Sequence, residues 1–233
     1  MQNGTADAIG IRDRWRIWLA AGAICMLAGG RLHPSFDYSQ STFDRIVASP
    51  LFSSAWVPVH ALILIGLILV TVGLAGLVRS GLLSRSARVA GRIAVAGGVL
   101  SALEMIFHLF AFVERDAAVT TGHTPIIDIH QALQVPSHPM LGFAVAALTI
   151  FEAGRLRGSR VVWVWRIATV VGLLGALAHG LAGPVVVLTR NAEFGNLFAG
   201  AGPMALYLGV YALLAGRFRR EALDKQTARR ASV

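Results

Sequence analysis

Cysteine, lysine and charge are all scarce in this chain. Cys25 is the only cysteine among 233 residues, which excludes an intrachain disulfide and any thiolate zinc or iron-sulfur site, since those need several sulfurs. Lys225 is the only lysine, every other basic residue being arginine. That usage fits a GC-rich genome and carries no mechanism. Only 14% of the residues are charged while 55% are hydrophobic, too apolar for an ordinary soluble domain of this size. A formal charge of +9 would suggest nucleic acid in a soluble protein. Here the basic residues fall in short clusters between long uncharged stretches, which is the membrane pattern, so nucleic acid is discounted and the bilayer is the expected solvent. A nucleophile triad, a phosphate loop, a dinucleotide fingerprint and a paired-carboxylate arrangement are all missing as well. An enzyme is not excluded, because a bound haem or metal can carry redox chemistry, but no pattern identifies a substrate.

What the chain has in place of these is long apolar runs. A span needs about 20 apolar residues to cross roughly 30 Å of hydrocarbon at about 1.5 Å per residue. The runs predict an all-α polytopic membrane protein, a single domain of six transmembrane helices at approximately 13–33, 55–79, 89–113, 129–154, 162–189 and 195–216. Pro203 and Gly202 lie one-third of the way into the sixth and are tolerated there with a local kink. The first is the weakest, since only Ile17 to Gly30 is uncharged between Arg16 and Arg31. Snorkelling arginines and the interfacial anchors Trp15 and Trp18 can extend it. A cleaved signal peptide is the competing reading, and the sequence Ala28-Gly29-Gly30-Arg31 is a poor cleavage site for it.

Counting basic residues orients the bundle. With a cytoplasmic N-terminus, the inner segments hold 17 basic residues and the outer segments hold Arg31, Arg45, Arg115 and Arg190. Both termini are therefore expected inside, in a bacterial cytoplasmic (plasma) membrane. All five tryptophans, Trp15, Trp18, Trp56, Trp163 and Trp165, fall near the predicted membrane faces. The basic tail over 217–233 and the inner loops are expected to rest on anionic lipid. Nothing in the sequence names a protein partner or decides for or against a homo-oligomer.

Spans two and three resemble spans four and five. Val57-Pro58-Val59-His60 matches Val135-Pro136-Ser137-His138, and Arg92-Ile93-Ala94 with Gly98, Leu100, Ala102 and Leu103 matches Arg166-Ile167-Ala168 with Gly172, Leu174, Ala176 and Leu177. Such a tandem parallel hairpin repeat would give spans two to five a pseudo-two-fold axis along the membrane normal and make them a four-helix core. Chance matching of apolar helices is the alternative. Gly97, Gly98, Gly172 and Gly175 would let these helices approach closely.

The seven histidines, His33, His60, His108, His123, His130, His138 and His179, all map to the outer half or outer loops. Four fall one to each core helix: His60 a turn inside span two, His138 at the head of span four, His108 near the outer end of span three and His179 nearer the middle of span five. By the repeat His60 and His138 are equivalent, while His179 aligns with Met105, one turn before His108. Glu104 precedes His108 by four residues and faces the same way, as a carboxylate-supported imidazole ligand or a proton relay would require. Polar groups inside a membrane are expensive and suggest function, although an interhelical hydrogen bond satisfies many lone histidines.

Three readings fit such a cluster. Two imidazoles on facing helices can hold haem b, with Arg31, Arg115 or Arg190 meeting the propionates, and the repeat favours His108 with His179 or His60 with His138. His60, His108, His138 and Glu104 can instead hold a divalent or copper ion, with Asp116, His123, Asp128 and His130 either a capture site or an ordinary solvated loop. Glu104 and His108 can also relay protons in a small transporter, and an accessory membrane protein with no cofactor would use the histidines structurally. In its histidine placement the core distantly resembles the cytochrome b561 and haem A synthase bundles, which implies haem. It departs from the b561 arrangement in keeping all four histidines on one side. The runs Gly30-Arg31-Leu32-His33-Pro34, Trp56 to His60, Phe107-His108 and Thr124-Pro125 to His130 resemble a group of uncharacterised multi-pass membrane proteins of high-GC Gram-positive bacteria. That resemblance implies the topology and assigns no site. The Ser-rich segment from Ser35 to Ser54 reads as a connecting loop, with a cap over the histidines as the alternative.

Overall fold

The computed structural model describes residues 14–154 and 162–215, and among these the chain is helices joined by short connections, with no strand. Six long helices follow one another: α1 (Arg14–Leu32), α2 (Trp56–Arg79), α3 (Arg85–Phe110), α4 (Pro125–Glu152), α5 (Val162–Thr189) and α6 (Ala192–Ala215). The last opens as a 3-10 helix over Ala192–Gly200. Helices α2 to α6 are long and apolar enough to cross a membrane. Helix α1, whose 19 residues carry Arg14, Arg16 and Arg31, stands apart from those five. Arg12, the arginines between α4 and α5 up to Arg160, and the basic tail lie outside the described residues.

Consecutive helices pack side by side from α1 through to α6. The last returns to the first: Gly209 meets Ala23, and the Arg16 guanidinium donates to the carbonyls of Ala212 (2.8 Å) and Leu213 (3.2 Å). The helices therefore close into a ring, whereas the sequence suggested a four-helix core flanked by α1 and α6. Glycine explains how α1 joins in. A Cβ on Gly22 would lie 2.7 Å from the Val70 nitrogen, so the α1 and α2 backbones touch where only hydrogen fits. Trp15 packs on Gly76 and is buried, as are Trp56 and Trp165, which leaves Trp18 and Trp163 exposed as candidate interfacial anchors.

The positions matched in the hairpin repeat do not make matching contacts. Gly98 faces Thr71 on the preceding helix, while its counterpart Gly172 faces Tyr207 on the following one. His60 sits one turn into α2, but α4 begins at Pro125, so His138 lies about halfway along its helix and not at its head. Helix α4 runs unbroken through Pro136 and Pro139, as a helix enclosed by neighbours can.

The two ends of the ring differ. At one end Trp165, Tyr207 and Tyr211 are almost fully buried, with ring centroids 5.5 to 6.2 Å apart. The other end opens into a cavity of about 590 Å³ lined by residues of all six helices.

Candidate functional site

The cavity is framed by a segment that sequence alone suggested was a plain connection. Phe36, Tyr38 and Phe43 line it, together with Val47, Ala48 and Leu51 from the short helix Phe43–Ala48 and the turn Ser49–Phe52. Apolar contact of Ala48 and Leu51 with Trp56 and Ala111 holds this cap down. At its rim Arg190 donates to both oxygens of Asp44 (2.7 and 2.8 Å) over the Phe43 ring. Asp37 accepts from the Ser39 hydroxyl and the Gln40 amide, which with the Ser39 backbone N–H hold its carboxyl below the ordinary range. On the facing side Glu114 accepts the backbone N–H groups of Ile126 (2.9 Å) and Ile127 (3.0 Å), capping the first turn of α4 and fixing the approach of His130.

Inside, four histidines form a continuous series of ring contacts. His33 and His60 have ring centroids 4.8 Å apart, His60 and His108 4.5 Å, and His108 and His130 3.9 Å. Deeper down, His138 and His179 stack at 4.4 Å. Trp56 forms the back wall: its indole N–H donates to the Leu109 carbonyl, and its ring lies 3.8 Å from His60 and 4.9 Å from His108.

The mouth pair has a definite proton arrangement. His33 Nδ1 lies 2.6 Å from the Pro34 carbonyl and His60 Nδ1 lies 2.7 Å from the Trp56 carbonyl. A carbonyl only accepts, so both Nδ1 atoms carry the hydrogen, and in the neutral rings both Nε2 atoms are bare lone pairs. Those two lone pairs face each other at 3.1 Å. Two acceptors hold such an approach only with a positive charge between them: a proton on one ring, or a cation shared by both. His108 adds a third ring nitrogen, and all three lie within 4.8 Å of one another.

Glu104, 1% exposed, is the charged group beneath. Its Oε1 lies 2.6 Å from His130 Nδ1 and 3.7 Å from His108 Nδ1, and its Oε2 lies 3.9 Å from His138 Nε2. The 2.6 Å approach is not directed as a hydrogen bond, and both atoms are buried without a hydrogen-bond partner. His138 Nδ1, both ring nitrogens of His179 and the Ser101 hydroxyl are likewise buried and unbonded. These polar atoms gather around one cavity, which is open to water or another polar occupant. The predicted carboxylate–imidazole pair, Glu104 with His108, is adjacent but too far apart to hydrogen bond.

The structure thus gathers His60, His108, His138, His179 and Glu104 around one cavity and adds His33 and His130 to them. His130 shares one helix face with Gln134 and His138, at successive spacings of four. That signal is in the sequence, hidden because His130 reads with Asp128 as part of the outer loop although it falls just inside the expected span. His33 is brought in by the turn after α1, and no sequence pattern marks it. The rest of the expected capture site disperses: His123 and Asp116 are exposed, Asp116 beside Arg115 (3.7 Å), and Asp128 only lines the cavity wall. The haem pairs expected from the repeat give way to pairs from adjacent helices, His60 with His108 and His138 with His179. A porphyrin must lie between two axial imidazoles that meet iron nitrogen-first. His138 and His179 instead lie nearly face to face, 23° between planes. Of the arginines suggested for the propionates, Arg190 lines the cavity but is bound to Asp44.

Comparison with known proteins finds no matching family model, no matching curated protein and no matching solved structure.

Proposed function

We propose that this chain is a membrane protein that binds one transition-metal ion, of the zinc or copper class, through His33, His60 and His108 in a cavity open to the outer side of the membrane. The observation that carries this reading is the pair of Nε2 lone pairs at 3.1 Å, each aimed by an Nδ1–H bond to a backbone carbonyl. That outer contact is how proteins orient imidazole ligands. Neutral imidazoles suit zinc, copper, iron and nickel over calcium or magnesium, which prefer oxygen. Three protein nitrogens leave a coordination position for water or an exchanging ligand, as sites that work on or pass on their metal require.

The same reading includes six spans, with α1 as the sixth, and both termini in the cytoplasm. It is supported by the 17 to 4 division of basic residues and by the contact of α1 with both α2 and α6. The histidine cavity then opens on the arginine-poor face, away from the reducing cytoplasm, and the basic inner loops meet anionic lipid. The duplicated motifs of spans two to five fit a hairpin duplication whose halves have since diverged in packing.

Elemental analysis with a visible spectrum tests it on detergent-purified protein supplied with zinc, copper and haem precursor. The expected result is about one metal ion per chain without a Soret band, reduced at least about 100-fold in affinity by His108→Ala, beyond the effect of losing an outer-shell partner. Stoichiometric haem would replace this reading with the cytochrome one. Protein with neither would leave proton relay through Glu104 and His108, or an accessory role.

A further inference from the structure

The second group of ligand atoms, in which Glu104, one turn below His108 on α3, and His130 replace His33 and His60, has a role of its own. Glu104, His108 and His130 each place a ligand atom within 4.8 Å of the others, and His108 belongs to this group and to the mouth triad alike. His130 can ligate through Nδ1, because the Gln134 side-chain amide, 3.0 Å from its Nε2, accepts Nε2–H once a half-turn presents its oxygen. Charge distinguishes the two groups. Three neutral imidazoles leave a divalent ion with its full charge, whereas Glu104 removes one unit of it. Glu104 gains in turn, because the described residues give it three histidines and no arginine or lysine, and a buried carboxylate needs a cation. Two dications sharing one imidazole and one carboxylate in a low-dielectric interior would repel strongly, so the groups serve a single ion in turn.

Resting on the metal reading above, we propose that Glu104, His108 and His130 form an inner station to which the ion captured by His33, His60 and His108 moves, with His108 as the shared ligand. The mouth triad then governs entry, and the inner station holds the ion at equilibrium. Below it α3 and α4 touch through Gly97, where a Cβ would lie 2.5 Å from the Leu141 nitrogen, and α4 and α5 touch through Gly142 against Gly180. These contacts stop the ion at the inner station in this conformation.

Cobalt(II), whose visible spectrum reports its ligands, is the probe, added to full-length purified wild type, His33→Ala, Glu104→Gln and His130→Gln, with zinc competition to confirm the site. The expected result is one cobalt per chain in the wild type, bound in two kinetic phases. His33→Ala should reach the wild-type final spectrum with affinity within about threefold but associate about tenfold more slowly. Glu104→Gln and His130→Gln should keep the fast phase, lose the slow one and end on a different spectrum, with affinity lower by about 10- to 100-fold. Two cobalt ions per wild-type chain would overturn the inference. So would the reverse pattern, in which the inner variants match the wild-type spectrum and His33→Ala does not, while the single-site reading survives. No cobalt or zinc on the wild type would overturn both.

Discussion

Helix α3 and helix α4 each bury a glutamate to 1% exposure, Glu104 near the open end of the ring and Glu152 at the closed end, and the two have opposite surroundings. Glu152 accepts a hydrogen bond from the Tyr211 hydroxyl at 3.0 Å, beside Trp165, whose indole donates to the Ala153 carbonyl. Its neighbours are large, rigid and close-packed. Glu104 has three imidazoles near it, none hydrogen bonded to its Oε1, and an open cavity above. A buried carboxylate used for stability is given donors. One used for binding keeps its oxygens available, and the empty protein bears the desolvation penalty. On this contrast Glu152 ties the ring shut, and Glu104 is free for the role proposed for it as a metal ligand.

Replacing each glutamate by leucine breaks the comparison most directly. Glu152→Leu should destabilise the purified protein by about 1–3 kcal/mol, because it leaves the Tyr211 hydroxyl without this acceptor in a packed interior, and should leave metal affinity unchanged. Metal-free Glu104→Leu should unfold no more easily than wild type and be up to about 2 kcal/mol more stable, since an apolar group replaces a buried carboxylate whose Oε1 accepts no hydrogen bond. Thermal unfolding in one detergent, with and without metal, reads both. Equal destabilisation by the two substitutions would mean that Glu104 is a structural residue too.

Much of this contrast was legible in sequence, but not the contacts that define it. Hydropathy locates helices α2 to α6 because lipid-facing surface must be apolar along its whole length. It places the start of α4 four residues late, because Pro125 and Asp128 look like loop when the first turn of a helix lines a polar cavity. Glu104 and His108 could be paired by helical spacing, yet the short contact of Glu104 is with His130, on another helix, and one-dimensional spacing carries no information across a helix seam. Trp15, Trp56 and Trp165 looked like interfacial anchors because position along a span cannot tell which way a side chain faces, and glycines on neighbouring helices turned Trp15 inward. Glu152 reads in sequence only as the boundary of a span, since a carboxylate there looks like the start of a loop.

Acid should sharpen the same contrast through the ligand. Metal competes with protons for imidazole lone pairs, whose ordinary pKa is about 6.5. Above that range the lone pairs are free and the ion binds. As the pH falls through it the rings take up protons and the ion leaves, by roughly tenfold in affinity per pH unit for each proton taken up. Burial disfavours the charged ring and lowers that range, as it does for His33, so titrating zinc from about pH 7 down to about pH 4 should show affinity falling by about 100-fold or more. A flat profile would argue against imidazole ligation.

The smallest expected effect lies at the rim. Arg190 and Asp44 are each about 60% exposed and join α5's end to the cap through a two-pronged contact. An exposed pair of this kind is worth about 1 kcal/mol at most, so Asp44→Asn should shift stability by less than that. Equilibrium metal affinity should not change, since neither residue is among the proposed ligands. The rate can change, because the pair pins the segment carrying Phe43 and Val47 over the cavity mouth, and loosening it gives the ion freer passage in both directions. Association and dissociation should then rise together by a few-fold, leaving their ratio fixed. A change in affinity without a change in rate would instead place Asp44 among the groups that hold the ion, and would move the boundary between the structural and the binding parts of this end outward to the rim.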